Sequence, residues 1–315
     1  MRKLIIFILL SLLIFPVSAE GARETGTIQI GIAKLLAHPA LDSIEKGIGD
    51  YLESSGMDVE IEVQNANGEI STAASIAQLF KTEGKDLVIG IATPTSQALA
   101  NVFTDIPVIF SSVTDTEAAG LKGIPNVCGV SDEVPAEEHY ALIERLTGAR
   151  RIGMIYTSGE ANGISAMEKM KGICEEDGAE LVTASVANSA EVRMAALSII
   201  DRVDAMYIAI DNTVVSAIAS LSDVCSDASV PLFSADVTSA YGTDVLAAGG
   251  FDYYASGVLT GEIVEKVING EDPADIGTVY LDDLELYVNL SVAEKLGITI
   301  PEDIIGSAEY IVETE

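Results

Sequence analysis

The residues best suited to chemistry in this chain are short, polar and placed directly after apolar runs. Leu87 to Ile91 is a run of the kind that forms a strand buried on both faces. Thr93-Pro94-Thr95-Ser96 follows it, and Gln97 to Ala100 favours helix, so Thr93 reads as an N-cap and Pro94 as the first helical residue. Such a helix start carries free N–H groups and the positive end of the dipole, which suit an anion. Thr95 and Ser96 would add hydroxyl donors for a carboxylate. Similar polar groups follow the other apolar runs. His38 and Asp42 come after Ile28–Ala33; Ser111, Ser112, Thr114 and Asp115 come after Val108–Phe110. Further along, Tyr156 is followed by Ser158, Glu160 and Asn162, Ile210 by Asp211 and Asn212, and Phe233 by Ser234 and Asp236. N–H and hydroxyl donors alternating with carboxylates are what a zwitterion needs, one kind of group for each of its poles.

Elements that would position these residues can be read from the periodicity. From Thr27 strands and helices alternate: Ile28–Ala33, a helix over Ser43–Ser54, then strands Val59–Val63, Leu87–Ile91, Val108–Phe110 and Val127–Val130 with helices between. That is a βαβ series of the doubly wound, parallel type. The series restarts at Pro135, with strands Arg151–Tyr156, Leu181–Val186, Ala205–Ile210, Pro231–Phe233 and Val245–Gly249. Two such units predict two Rossmann-like lobes facing each other. The helix Tyr253–Asn269 has no strand partner after it in the second unit and is expected to return to the first. The expected boundaries are 27–131 plus 252–276 for the first lobe and 132–251 plus 277–315 for the second, giving three hinge crossings, the third near Gly277. In open α/β sheets ligands bind beyond the carboxyl ends of the strands, where the polar residues above sit.

Composition narrows the classes. Among 315 residues there are 49 Asp and Glu against 17 Lys and Arg, a net charge of −32. A surface so acidic repels nucleic acid and anionic membrane, so neither is expected as a partner. Arg2 and Lys3, the apolar stretch Leu4–Phe15 and Val17-Ser18-Ala19 form a cleavable export signal over 1–19. The two histidines, His38 and His139, cannot make a multi-His metal site, and Cys128, Cys174 and Cys225 have neither metal-like nor disulfide-framework spacing. Glycine-rich nucleotide motifs, GxSxG and HExxH are all missing from the chain. No cofactor and no bond chemistry are expected. His139, beside Glu137 and Glu138, reads as part of a solvated helix face. Asp132 reads as a helix cap, Asp211 as either a cap or a ligand contact, and Phe110, Phe251 and Tyr253 as core.

Six segments in order, AHPALD (37–42), IATPTSQAL (91–99), VTDTEAAGL (113–121), GVSDEVP (129–135), IYTSGEANG (155–163) and IDN (210–212), resemble the tryptophan/tyrosine-type substrate-binding proteins of ABC transporters. The resemblance runs from about Thr27 to Ile305. It departs from the family pattern at Thr116, where Pro is common, and at Gly163, where Ser is common. It implies the type I periplasmic-binding-protein fold, with Thr95, Ser96 and Thr114 on an α-carboxylate and Asp115, Asp211 and Asp236 as candidates for the α-ammonium. The Ser158–Asn162 loop would close from the second lobe. Thr93, His38, Tyr156, Glu160, Asn162 and Asn212 complete the candidate set. The expected role is an exported, monomeric component of an importer that binds a small amino-acid-like ligand, with an aromatic one suggested by Phe110 and Tyr156, and hands it to an ABC permease. It would work in the periplasm or at the outer face of the cytoplasmic membrane. An exported sensor of the same fold, acting on a membrane receptor, is the alternative.

Overall fold

A computed structural model describes residues 26–313; the expected export signal over 1–19 lies outside them. The first sheet takes β1 (Ile28–Lys34), β2 (Val59–Asn65), β3 (Leu87–Ile91), β4 (Val108–Ser111) and β5 (Val127–Ser131). Helices α1 (Pro39–Ser55), α2 (Ile70–Glu83) and α3 (Thr93–Ala100) connect its first four strands. Every residue of β3, β4 and β5 is buried, because helices cover both faces of a parallel sheet. β1 is paired with β2 on one side and β3 on the other, so the strand order reverses at β1/β3.

The second unit repeats the plan. It runs α4 (Ala136–Thr147), β6 (Arg151–Thr157), α5 (Ala161–Glu176), β7 (Glu180–Val186), α6 (Val192–Ile199), β8 (Ala205–Ile208), α7 (Asn212–Val215), α8 (Ile218–Ala228), β9 (Leu232–Ser234) and β10 (Val245–Gly250). Its reversal point lies at β6, between β7 and β8. The chain then returns to the first lobe through α9 (Tyr253–Ile268), α10 (Pro273–Ile276) and β11 (Thr278–Tyr280). It ends in the second lobe with β12 (Glu285–Asn289), α11 (Leu290–Leu296), α12 (Glu302–Ser307) and β13 (Tyr310–Val312). β12 is antiparallel to β10, and the other pairings are parallel. Each lobe has its own core: Phe80, Phe110 and Ile89 belong to the first, Leu232, Phe233 and Met206 to the second.

Two expectations need correction here. β11 pairs in parallel with β5, Thr278 opposite Gly129, so residues 277–280 belong to the first sheet and the third crossing is Leu281–Leu284 rather than Gly277. His139 is not on a solvated face. It is 4% exposed and packs edge-on against Tyr207, with Nδ1 2.6 Å from that hydroxyl, and burial lowers its pKa to about 4. The neighbouring acids Glu137 and Glu138 sit on the outer side of the same helix turn.

Helix α9 is fused to α1 by small residues. A Cβ on Gly47 would overlap the carbonyl of Tyr254, and one on Gly257 would overlap the carbonyl of Ile44. Ser256 and Thr260 on α9 reach the sheet, where their hydroxyls meet those of Ser112 (2.9 Å) and Ser111 (2.7 Å). Cys128, Cys174 and Cys225 are free and buried.

Candidate functional site

The carboxyl ends of the two sheets face each other across a narrow, nearly closed space with a cavity volume of about 10 Å³. The first lobe contributes His38, Ala40 and Leu41 after β1, Ser112 after β4, Asp132 after β5 and Tyr253 at the start of α9. The second contributes Ile210, Asp211, Asn212 and Val215 after β8 and Asp236 after β9. Both reversal points thus open into it, as the doubly wound topology requires. Strain marks the first lobe's side: Ala92 at the end of β3 has φ 78° and ψ 162°, a region nearly reserved for glycine, and Ser112 after β4 has φ 54°. Such backbone persists only where the surroundings hold it, and it concentrates at binding sites.

Charge is unbalanced in this space. Asp132, Asp211 and Asp236 are each at most 2% exposed, and none of the lining residues is a lysine or arginine. Burial raises Asp132 to about 6, against the pull of the Thr114 (2.9 Å) and Tyr253 (3.3 Å) hydroxyls that donate to it. Burial, with the Glu160 carboxylate nearby, raises Asp211 to about 7. Burial also raises Asp236, which accepts the Ser239 N–H at 3.1 Å. His38 is pushed the other way: burial lowers its pKa, while Asp236, Asn212, Asp42 and Glu160 oppose that. It is therefore neutral at pH 7, and neither ring nitrogen makes a hydrogen bond of good geometry. Thr93 Oγ1, Asn162 Oδ1 and Ser239 Oγ are likewise buried without a partner. Four residues at or near helix starts of both lobes thus hold unsatisfied polar atoms, in a fold where such atoms are ordinarily paired.

The remaining candidates are placed as follows. Thr95 and Ser96 do not line the space. Thr95 Oγ1 donates back to Ile91 (2.6 Å) or Ala92 (3.0 Å), and Ser96 Oγ to Gly90 (2.9 Å) or Ala92 (2.8 Å), so the expected carboxylate donors have their protons committed to the end of β3. The N-cap of α3 is Ala92, not Thr93, and Thr93 begins the helix. Asp211 is the N-cap of α7: it accepts the Val214 N–H at 3.1 Å and both the N–H and hydroxyl of Thr157, at 2.6 and 2.7 Å. Gly163 is required beside it, since a side chain there would overlap that carboxylate. Glu160 takes the backbone N–H groups of Asn212 and Thr213 and both their side chains, pinning the same helix start. Asn162 donates to Ile210 at 2.8 Å. Thr114 serves Asp132, while Asp115 points to α5, away from the space. Tyr156 is half-buried on β6 and not on its wall.

Asp132 and Tyr253 are on the wall although the sequence reading gave each a blander role, while Ser112 is there as its place after β4 suggested. Asp132 is no cap, because Pro135 stands at the N-cap of α4. Its position directly after a buried strand, the criterion that singled out Asp211, was the available signal.

Two doubly wound lobes, three crossings and an acid-lined space between strand tips are the architecture of the type I periplasmic-binding-protein fold. The chain belongs to the ABC transporter substrate binding protein family, whose model matches residues 29–312. It is 33% identical over 270 residues to the tyrosine-binding protein of Clostridioides difficile, covering 82% of this chain and 78% of that one. It is 32% identical to the ABC domain in complex with L-Trp from Streptococcus pneumoniae, at a TM-score of 0.86, over 91% of this chain and all (100%) of that one. Against the ligand-free, open structure of a Clostridium difficile substrate-binding protein with adhesive properties, identity is 30% over the same shares, 91% and 100%, but the TM-score is 0.67. At near-equal identity, this chain superposes better on the structure with L-Trp bound than on the ligand-free, open one.

Proposed function

We propose that the chain is the exported binding component of an importer, which closes over a free amino acid, holds it as a zwitterion and presents it to a membrane permease. The observation that carries this reading is the group of buried carboxylates, Asp132 from one lobe and Asp236 from the other, with no cation of the protein between them. A buried carboxylate needs a partner, and an α-ammonium placed there would serve both lobes at once. Asp211 is already satisfied by three donors and acts by holding α7 in place. The carboxylate pole is assigned to the Thr93 hydroxyl and the N–H groups that open α3. Neutral His38 can donate from one nitrogen and accept at the other.

The side chain is assigned to the aromatic class, since tyrosine and tryptophan are the ligands in the descriptions of the two relatives above. Titration calorimetry of the chain with L-tyrosine, L-tryptophan and L-leucine tests this. Heat with one of the aromatic pair and a dissociation constant weakened at least tenfold, about 1.4 kcal/mol, by Asp236→Asn are expected. No heat with either aromatic amino acid overturns the aromatic assignment, and an unchanged constant in Asp236→Asn overturns the ammonium site. Delivery to a permease is tested by uptake in cells deleted for the gene.

A further inference from the structure

We propose that Asp115, Ser165, Lys169 and Glu133 form a latch that holds the two lobes closed and lies outside the ligand space. Asp115 is on the loop after β4 in the first lobe, and its carboxylate accepts the Ala118 N–H of its own turn at 2.9 Å. Its other oxygen crosses to α5 of the second lobe. There it accepts the Ser165 hydroxyl at 2.6 Å and lies 3.1 Å from Lys169 Nζ. Lys169 also holds Glu133, on the first crossing, at 2.5 Å. One ammonium therefore ties together the first lobe, the second lobe and the hinge.

The parts are half-shielded rather than loose: the side chain of Asp115 is 17% exposed and that of Lys169 is 42%. Burial pushes the Asp115 carboxyl up, but the Ala118 N–H, Ser165 and Lys169 outweigh it and hold the group at about 2, so it stays ionised throughout the working range. Ser165 and Lys169 also line a second chamber, which meets the ligand space at Ile210. Opening the lobes breaks the Asp115 contacts and leaves the core of each lobe untouched. A contact made only in the closed form shifts the equilibrium toward it, whatever the ligand.

The latch rests on the closing motion, not on the identity of the ligand, and the test separates the two. Lys169→Met keeps the aliphatic stem and removes the charge; Ser165→Ala removes one donor; Lys169→Arg restores the charge. Small-angle scattering on the ligand-free chain is expected to show a larger radius of gyration in Lys169→Met than in the wild type, with Lys169→Arg near the wild type. The dissociation constant for L-tyrosine is expected to rise threefold to tenfold in Lys169→Met, with an unchanged urea midpoint. An unchanged radius of gyration in ligand-free Lys169→Met overturns the latch. Absence of L-tyrosine binding in every variant overturns the ligand assignment alone, because the scattering comparison needs no ligand.

Discussion

Three buried carboxylates give the site a pH dependence whose sign follows from the direction of their shifts. Asp132 and Asp211 are raised, to about 6 and about 7. A raised pKa means that the folded form binds the proton more tightly than the unfolded chain does. The associated stability is complete below the ordinary carboxylate value near 4 and is lost as the pH rises through 6 and 7. The urea midpoint of the ligand-free chain should therefore fall between pH 5 and pH 8, and Asp132→Asn should flatten that fall. A midpoint that climbs over the same interval contradicts the assignment. An ammonium ligand favours the ionised acids, so its affinity should climb where ligand-free stability falls. At this scale the sequence was half legible. His38, Asp211, Asn212 and Asp236 could be placed at the space because they lie in the short segments that follow buried strands. Thr95 and Ser96 could not, since residue type does not tell whether a hydroxyl faces a ligand or the carbonyls one turn back, and both turn back. Lys169 and Ser165 were invisible for another reason: their partner Asp115 is some 50 positions away, and an ion pair between lobes leaves no local pattern.

The elements were more legible than the site. Fully apolar runs such as Leu87–Ile91 mark strands covered on both faces, and their alternation with helices left few topologies to consider. β11 escaped because it is three residues long, only partly buried and at the sheet edge, too short to display a period. The seam between α1 and α9 offers a contrast that only the structure reveals. Gly257→Ala drives a methyl into the Ile44 carbonyl and should destabilise the chain by about 1–3 kcal/mol. Gly49→Ala, on the same helix α1 with nothing near its Cβ, should be neutral or stabilising by up to about 1 kcal/mol. Urea denaturation of the two variants checks the pair; equal effects would mean that the helices do not meet as described.

For the whole molecule, charge is the main lever. With a net charge of −32 the compact form repels itself. Raising salt from about 0.02 M to about 0.5 M shrinks the Debye length several-fold and should raise the melting temperature, even though it weakens exposed pairs such as Arg145–Asp303. A melting temperature that drops on salt addition would assign more of the stability to ion pairs than the exposed geometry allows.

The way the chain shuttles between lobes also governs the order in which the protein can be built. Tyr253, Ile263 and Val264 of α9 are part of the first core, and β12 and β13 complete the second sheet. A nascent polypeptide of 250 residues thus contains every helix and strand of the early β1–β5 unit and still lacks the cover for one of its faces. Neither half can finish ahead of the other by much, so native contacts of long sequence separation arrive late and together, which slows maturation.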